Sequence, residues 1–259
     1  MIAKTNCAGC VFAEKENEKQ IGCSLDRAKK LGITNEGEDS YILERFCAAY
    51  RPEEWLKNLS VSESMNIKES VLHELKPRVG FFLLFEKSMT DLERCLDEIK
   101  NQSISARYII VINMDVEYNQ EIYNALTSRF DFDKTEFHIV QPLEKPDDES
   151  RFIDESFRHA KNGWAYFCRC SEKIDHQLIE KIHIRVNLQM KKLVVVKPYD
   201  DKHNGLLFQT SLFKFLNGNG VKVFQDASTD NRLFLDKIKE AAENSDKETF
   251  ITWSEFNES

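Results

Sequence analysis

Arg78–Asp115, RVGFFLLFEKSMTDLERCLDEIKNQSISARYIIVINMD, is the stretch whose reading decides the fold. Val79–Phe85 is an unbroken apolar run, too short for a membrane and suited to a strand buried on both faces. Met89, Leu92, Leu96 and Ile99 follow at helical spacing, with Asp91, Glu93, Arg94, Asp97 and Lys100 on the opposite face. Ser88 or Thr90 is placed to cap that helix. Tyr108–Ile112 is a second apolar, β-branched run, and it ends in the polar Asn113, Met114 and Asp115. Strand, helix and strand with short joints make a right-handed crossover, which implies a parallel sheet covered on both faces. Such sheets bind ligands at the carboxyl ends of their strands, here near Phe85–Glu86 and Asn113–Asp115.

Working outward, Glu121–Phe130 reads as a helix and Thr135–Val140 as a third strand. Phe152, Ile153, Ser156, Phe157 and Ala160 form a helical face that Asn162-Gly163 stops. Trp164–Cys168 reads as a fourth strand, Leu178, Ile179, Ile182 and Val186 line a further helix, and Leu193–Val196 reads as a fifth strand. Asn204–Leu216 is apolar and aromatic, Val221–Phe224 extended, and Asn231–Ala242 amphipathic. This α/β region spans residues 78–240, and residues 241–259 read as an acidic tail.

The chain has 259 residues, enough for one ordinary domain and a small one. A net charge of −8 repels a nucleic-acid backbone, so nucleic acid is not an expected partner. No run approaches the ~20 apolar residues of a membrane span. MIAKTNCAGCVF lacks the apolar centre of a secretory signal, so the expected location is the cytoplasm, or an assembled particle, with reduced thiols. Seven cysteines are many for that setting, and an odd number suits metal or cluster ligation better than a full set of bridges.

Four of the seven lie in residues 1–52: Cys7 and Cys10 as a CxxC, then Cys23 and Cys47, in the spacing C-x2-C-x12-C-x23-C. With little else apolar to build a core, this module is expected to fold around an inorganic centre. Structural zinc takes four thiolates, usually as two close pairs. A [4Fe–4S] cluster takes four separately placed thiolates, and Val11, Phe12, Tyr41, Phe46 and Tyr50 are available to shield one. The module resembles small high-potential-type iron–sulfur modules in its CxxCxF, GC and aromatic-flanked cysteine. Both centres stay open. Residues 53–77 read as a linker with short helices, hinged at the polar SVSESMNIKES, with Val71, Leu72 and Leu75 on a short helix that Pro77 ends.

The larger region resembles the GT-A fold of family-two glycosyltransferases. LERCLDEIKNQS, Leu92–Ser103, matches the family's first helix, between VGFFLLFE and YIIVINMD. RFIDESFRHAKNG and WAYFCRC resemble the helix and strand that lead into its metal-binding Asp-x-Asp. HNGLLFQTSLF and LNGNGVKVFQDASTDNR resemble its later acceptor and acidic segments. The resemblance implies a nucleotide-sugar ligand, with Asp115 holding the base or ribose and Asp226 as general base toward an acceptor hydroxyl, Asp230 being the other candidate. The Asp-x-Asp position falls at Cys170-Ser171-Glu172, or one residue earlier, and presents one carboxylate. A hard divalent cation is poorly served there. Glu172 with Asp175 in a shifted register, or Arg169 as a fixed positive charge, would take its place.

Each of these residues has a plainer reading. DASTD suits a helix N-cap, and an Asp at a strand end suits a turn. Cys168 and Cys170, two apart on one strand face, suit core packing. The six histidines show no ligand pair. The expectation is therefore a glycosyltransferase-like protein of weak or lost activity, carrying a four-cysteine centre. The alternative is a non-catalytic protein that keeps the GT-A fold as scaffold, for instance in a phage particle or another assembly with a protein partner. A lesser reading rests on the cysteine module alone, as an electron-transfer or radical-enzyme accessory.

Overall fold

The computed structural model describes residues 5–16, 19–25, 27, 31, 46–142, 149–188, 195–197, 206–210 and 250–252. The N-terminal unit opens with a hairpin of β1 (Ala13–Glu16) and β2 (Lys19–Cys23), paired antiparallel. A short 3-10 turn, Glu53–Asn58, leads to helix α1 (Val61–Glu74). The hinge expected in SVSESMNIKES is thus a helix. Its start is a capping box, in which the Glu63 amide donates to the Ser60 hydroxyl at 3.3 Å and the Ser60 amide to the Glu63 carboxylate at 2.9 Å. Val71, with Ile67 and Leu75 a turn to either side, packs on Cys10, Phe12, Leu25 and Ala49.

The central sheet follows from the two apolar runs. β3 (Val79–Phe85) and β4 (Tyr108–Asn113) are buried along their whole length. They pair in parallel, with helix α2 (Met89–Lys100) as the crossover and Ser88 as its N-cap. β5 (Glu136–Val140) joins the far edge of β4 after helix α3 (Asn119–Thr127), and β6 (Trp164–Arg169) joins the other edge of β3. Helix α4 (Glu149–Ser156) precedes β6, and helix α5 (Leu178–Leu188) follows it. β7 (Val195–Lys197), β8 (Leu206–Gln209) and β9 (Phe250–Thr252) complete the order β5-β4-β3-β6-β8-β7-β9. β8 runs antiparallel to both β6 and β7, whereas β9 runs parallel to β7. Part of the segment expected as a tail is therefore a strand of the main sheet. Val221–Phe224 and Asn231–Ala242 lie outside the described residues.

The alternation of a strand puts Phe81, Leu83 and Phe85 on one face, where they share a core with Leu92, Leu96 and Ile99 of α2, Ile122 and Leu126 of α3, and Ile179 and Ile182 of α5. On the opposite face Phe157 stacks on Phe82 at 4.2 Å between ring centroids and meets Phe167 at 6.0 Å. Helical segments therefore cover both faces, as the buried strands require. At the entry to β6, Gly163 has φ 133°, and a Cβ there would stand 2.4 Å from the Arg78 carbonyl oxygen.

The two units share buried contacts and are not separated by a hinge. Ala48 lies in the core of the sheet domain. Glu180 of α5, fully buried, binds Arg27 at 2.5 Å, receives the Ala48 amide at 2.6 Å and receives the Ser103 hydroxyl. Arg27 also donates to the Ser103 carbonyl at 3.1 Å. Loss of a cysteine in the N-terminal unit should therefore disturb the sheet domain as well, contrary to what a flexible linker would allow.

Candidate functional site

The carboxyl ends of β4, β3 and β6 lie side by side, so the register alone brings Asp115, Glu86 with Lys87, and Arg169 to Glu172 to one edge. Lys87 is the residue that turns the chain from β3 toward α2, with φ 67°, an unusual conformation for a residue with a side chain. Its ammonium sits 2.6 Å from Asp115 and holds that carboxyl below the usual range. Asp115 also accepts the Glu117 amide at 3.2 Å, and its own amide donates to Asn113 at 3.0 Å. On the other side of β3, Glu86 accepts from Arg169 at 2.5 Å and from the Ser171 hydroxyl at 2.8 Å. Two ion pairs thus bracket the end of the central strand.

Glu172 is the unsatisfied member. Its Oε2 is buried with no hydrogen-bond partner, and burial pushes the carboxyl up to about 7, with Glu86 adding to the shift and Arg169 opposing it. The folded chain therefore holds this proton more tightly than the unfolded one, and the associated stability is full below about pH 4.5 and lost as pH rises through about 7. Glu172→Gln should gain on the wild type between pH 4 and pH 8, by roughly 1–3 kcal/mol once partial exposure is discounted. Urea denaturation of both proteins at the two pH values measures this. An equal difference at both would show that ionised Glu172 is not penalised.

The loop that carries Glu172 is held by three polar residues of the LERCLDEIKNQS segment. Arg94 donates to the Cys170 carbonyl at 2.7 Å and the Glu172 carbonyl at 3.0 Å. Glu98 accepts the Ile174 amide at 2.8 Å. Gln102 donates to the Asp175 carbonyl at 2.7 Å and accepts the Ile179 amide at 3.2 Å. Residues 94, 98 and 102 are four apart and so fall on one helical stripe. That spacing was visible in the sequence, but its partner was not.

Asp115 and Glu172 are brought to one edge, whereas Asp226 and Asp230 lie outside the described residues. Asp175 is already engaged, capping α5 through the Gln177 amide at 2.8 Å and pairing with Lys181. A shifted Glu172–Asp175 metal pair is therefore poorly supported. Cys170 is 1% exposed and turned into the core, and Ser171 is bound to Glu86, so Glu172 is the single carboxylate of its triplet. These residues do not fit a hard divalent cation.

In the N-terminal unit Cys10, Cys23 and Cys47 share one hydrophobic cluster, and the Cys10 amide donates to the Cys7 carbonyl at 3.2 Å. Burial pushes the Cys47 thiol up to about 12. Four thiols are a suitable donor set for zinc or a cluster. Among the described residues, however, no three or more His, Cys, Asp or Glu are arranged as ligands of a metal ion. A groove of about 380 Å³ between the 3-10 turn and α1, lined in part by Trp55, Ile67 and Val71, shares no residue with the strand-end site.

The sheet is mostly parallel, covered on both faces, with an antiparallel strand let in beside β6: an α/β architecture. No family model matches the chain, and no curated protein matches it. Among solved structures it is similar to Staphylococcus aureus TarS, at TM-score 0.47 and 11% identity, over 63% of this chain and 34% of that one. It is also similar to TarS 1-349 in complex with UDP, at 0.49 and 9%, over 68% and 60%. A third is the mannosyltransferase PcManGT from Pyrobaculum calidifontis in complex with GDP-Man and Mn2+, at 0.44 and 14%, over 56% and 47%. The chain thus spans about a third of the longer TarS structure. Among the described residues no helix is long and apolar enough to cross a membrane.

Proposed function

We propose that this chain is a glycosyltransferase-like protein that binds a nucleotide sugar at the carboxyl edge of its sheet, without a divalent cation of the Asp-x-Asp kind. The observation that carries this reading is the placement of Asp115 and Glu172 just past the ends of β4 and β6, flanking β3, with two side-chain cations, Lys87 and Arg169, at the same edge. In the nucleotide-bound protein Asp115 would accept hydrogen bonds from base or ribose. Lys87 and Arg169 would exchange their carboxylate partners for diphosphate oxygens, a fixed-charge substitute for a metal ion. Any transfer chemistry would rest on Asp226 as the base, and would be slow.

Calorimetric titration with UDP- and GDP-linked sugars, with and without Mn²⁺, tests this reading. The expected result is weak binding that Mn²⁺ leaves unchanged, because one carboxylate adds little attraction for a metal–diphosphate complex. Binding that strengthens tenfold or more with Mn²⁺ would show a working metal site and a competent enzyme.

The two ion pairs also favour a second reading. Lys87 and Arg169 each already have a carboxylate partner, so neither needs a ligand, as in a scaffold or assembly component. No binding of any sugar nucleotide would select it, and Glu172→Ala would then leave the protein's biological role intact.

Cys7, Cys10, Cys23 and Cys47 are proposed to hold one zinc ion or one [4Fe–4S] cluster, which would supply cross-linking that the small core lacks. Metal analysis and the visible spectrum of anaerobically purified protein decide between them. One zinc without colour, or four irons with a broad visible band, is expected. Protein folded without metal would end the proposal.

A further inference from the structure

The groove between the 3-10 turn and α1 holds about 380 Å³, within the range of small-molecule sites. One wall is Trp55, which is 50% exposed, although a side chain of this size is ordinarily well covered. The Arg51 guanidinium lies over its ring, 5.4 Å from the centroid. Arg51 is itself held by the Ala48 and Tyr50 carbonyls at 3.0 and 2.9 Å and by Glu74, so the indole is braced and still half open. The other wall is α1, where Ser62, Asn66 and Ser70 stand four apart on one helical stripe, about 12 Å from end to end. Half-buried Ile67 and buried Val71 form the floor.

The charged groups of this lining are spent on partners. Arg51 pairs with Glu74, and Glu63 accepts the Ser60 amide at 2.9 Å and the Ser60 hydroxyl at 2.5 Å. The Asn66 amide and the Ser70 hydroxyl, by contrast, make no side-chain hydrogen bond with any described residue. The groove therefore offers neutral donors and acceptors beside an aromatic surface. We propose that it binds a neutral saccharide, with a sugar ring lying against Trp55 and its hydroxyls bonded to Asn66 and Ser70. A pyranose has the two-sided chemistry this lining asks for. Its C–H groups suit the indole, and its hydroxyls both donate and accept. An ionic ligand would lose water there without meeting an unpaired counter-charge.

A peptide suits the groove less well. An extended peptide binds by adding to a strand edge, and these walls are a helix and a 3-10 turn. An amphipathic helix needs a row of apolar pockets, whereas the rim of α1 here is Ser62, Asn66 and Ser70. The row of polar side chains is longer than one sugar ring, so an oligosaccharide gains contacts that a monosaccharide lacks. The groove shares no residue with the strand-end edge, and the saccharide site stands whether or not a nucleotide sugar binds there.

Calorimetric titration of the full-length protein with cellohexaose, maltohexaose, xylohexaose and chitohexaose tests this. At least one should bind with a Kd of about 0.1–1 mM, and more tightly than its monosaccharide. Trp55→Ala and Asn66→Ala should each weaken that binding by roughly tenfold or more, and Trp55→Phe, which keeps a ring, by less. Both positions are exposed, so circular dichroism should match the wild type. Trp55→Ala should also leave the response to UDP- and GDP-linked sugars unchanged, which separates this groove from the strand-end edge. Absence of binding by all four oligosaccharides up to about 10 mM would overturn the proposal. Binding undiminished in Trp55→Ala would overturn it too, by placing the sugar elsewhere. Preference for a charged oligogalacturonate over the neutral hexamers would overturn the neutral chemistry. Should Trp55→Ala fail to fold, Asn66→Ala, on the open side of a helix, decides the matter alone.

Discussion

Glu180→Ala should destabilise the whole protein by roughly 3–5 kcal/mol, the usual cost of leaving one half of a buried ion pair behind. Three groups lose an acceptor at once: the Arg27 guanidinium, which keeps the Ser103 carbonyl, the Ala48 amide and the Ser103 hydroxyl. Arg27 is 6% exposed and its Nε already lacks a partner, so water cannot readily compensate. Urea denaturation followed by far-UV circular dichroism gives the size of the effect. It should be one cooperative transition displaced as a whole, because Glu180 joins the N-terminal unit to α5. Glu180→Gln should cost less than Glu180→Ala, since the amide oxygen can still accept the Ala48 amide. Replacing Arg27 and Glu180 together by leucine should recover most of the loss, because no buried charge then remains unpaired. A change below about 1 kcal/mol in Glu180→Ala would mean that the two units are not coupled through this residue.

Gly80→Ala should be of similar size, about 3 kcal/mol or more, for a steric reason. Gly80 and Tyr108 are register partners on adjacent parallel strands, and the Tyr108 ring lies directly over the glycine. An added Cβ would stand 1.9 Å from the ring carbon Cζ, so the ring must leave its place. Tyr108 is 1% exposed and packs edge-on to Phe82 at 6.0 Å, so moving it opens the core on the Phe157 face. The cost combines overpacking with loss of a buried aromatic. A Tyr108→Leu background should make Gly80→Ala much less damaging, since the smaller side chain leaves room for the methyl group. A double-mutant cycle by thermal or urea denaturation reads that coupling. Equal effects of Gly80→Ala in both backgrounds would show that the ring is not what excludes a side chain.

The candidate site was legible in part. Asp115 was legible as the polar end of the second apolar run, whereas Glu172 was reached through the Asp-x-Asp resemblance, and a parallel sheet gathers both at one edge. Lys87 and Arg169 went unpaired in that reading. Their partners Asp115 and Glu86 are set by strand register, across 28 and 83 residues of chain. Arg94 stands among the polar residues of its helix, but the loop that Arg94, Glu98 and Gln102 clamp comes from beyond β6. The polarity of SVSESMNIKES suggests a hinge, although Ser60 and Glu63 carry the spacing of a capping box.

By itself, the sequence determined the local periods. Short continuous apolar runs suit strands buried on both faces, and the 3.6-residue spacing between them suits a covering helix. Those two facts entail a parallel crossover and the edge where polar residues collect. Tertiary structure alone decided which charges meet. It also decided that the N-terminal unit is fastened to the sheet domain through Arg27 and Glu180, two residues 153 apart. Hydrophobic periodicity is a property of neighbours along the chain, whereas a buried ion pair or a shared hydrogen bond exists only once distant segments have excluded water from between them.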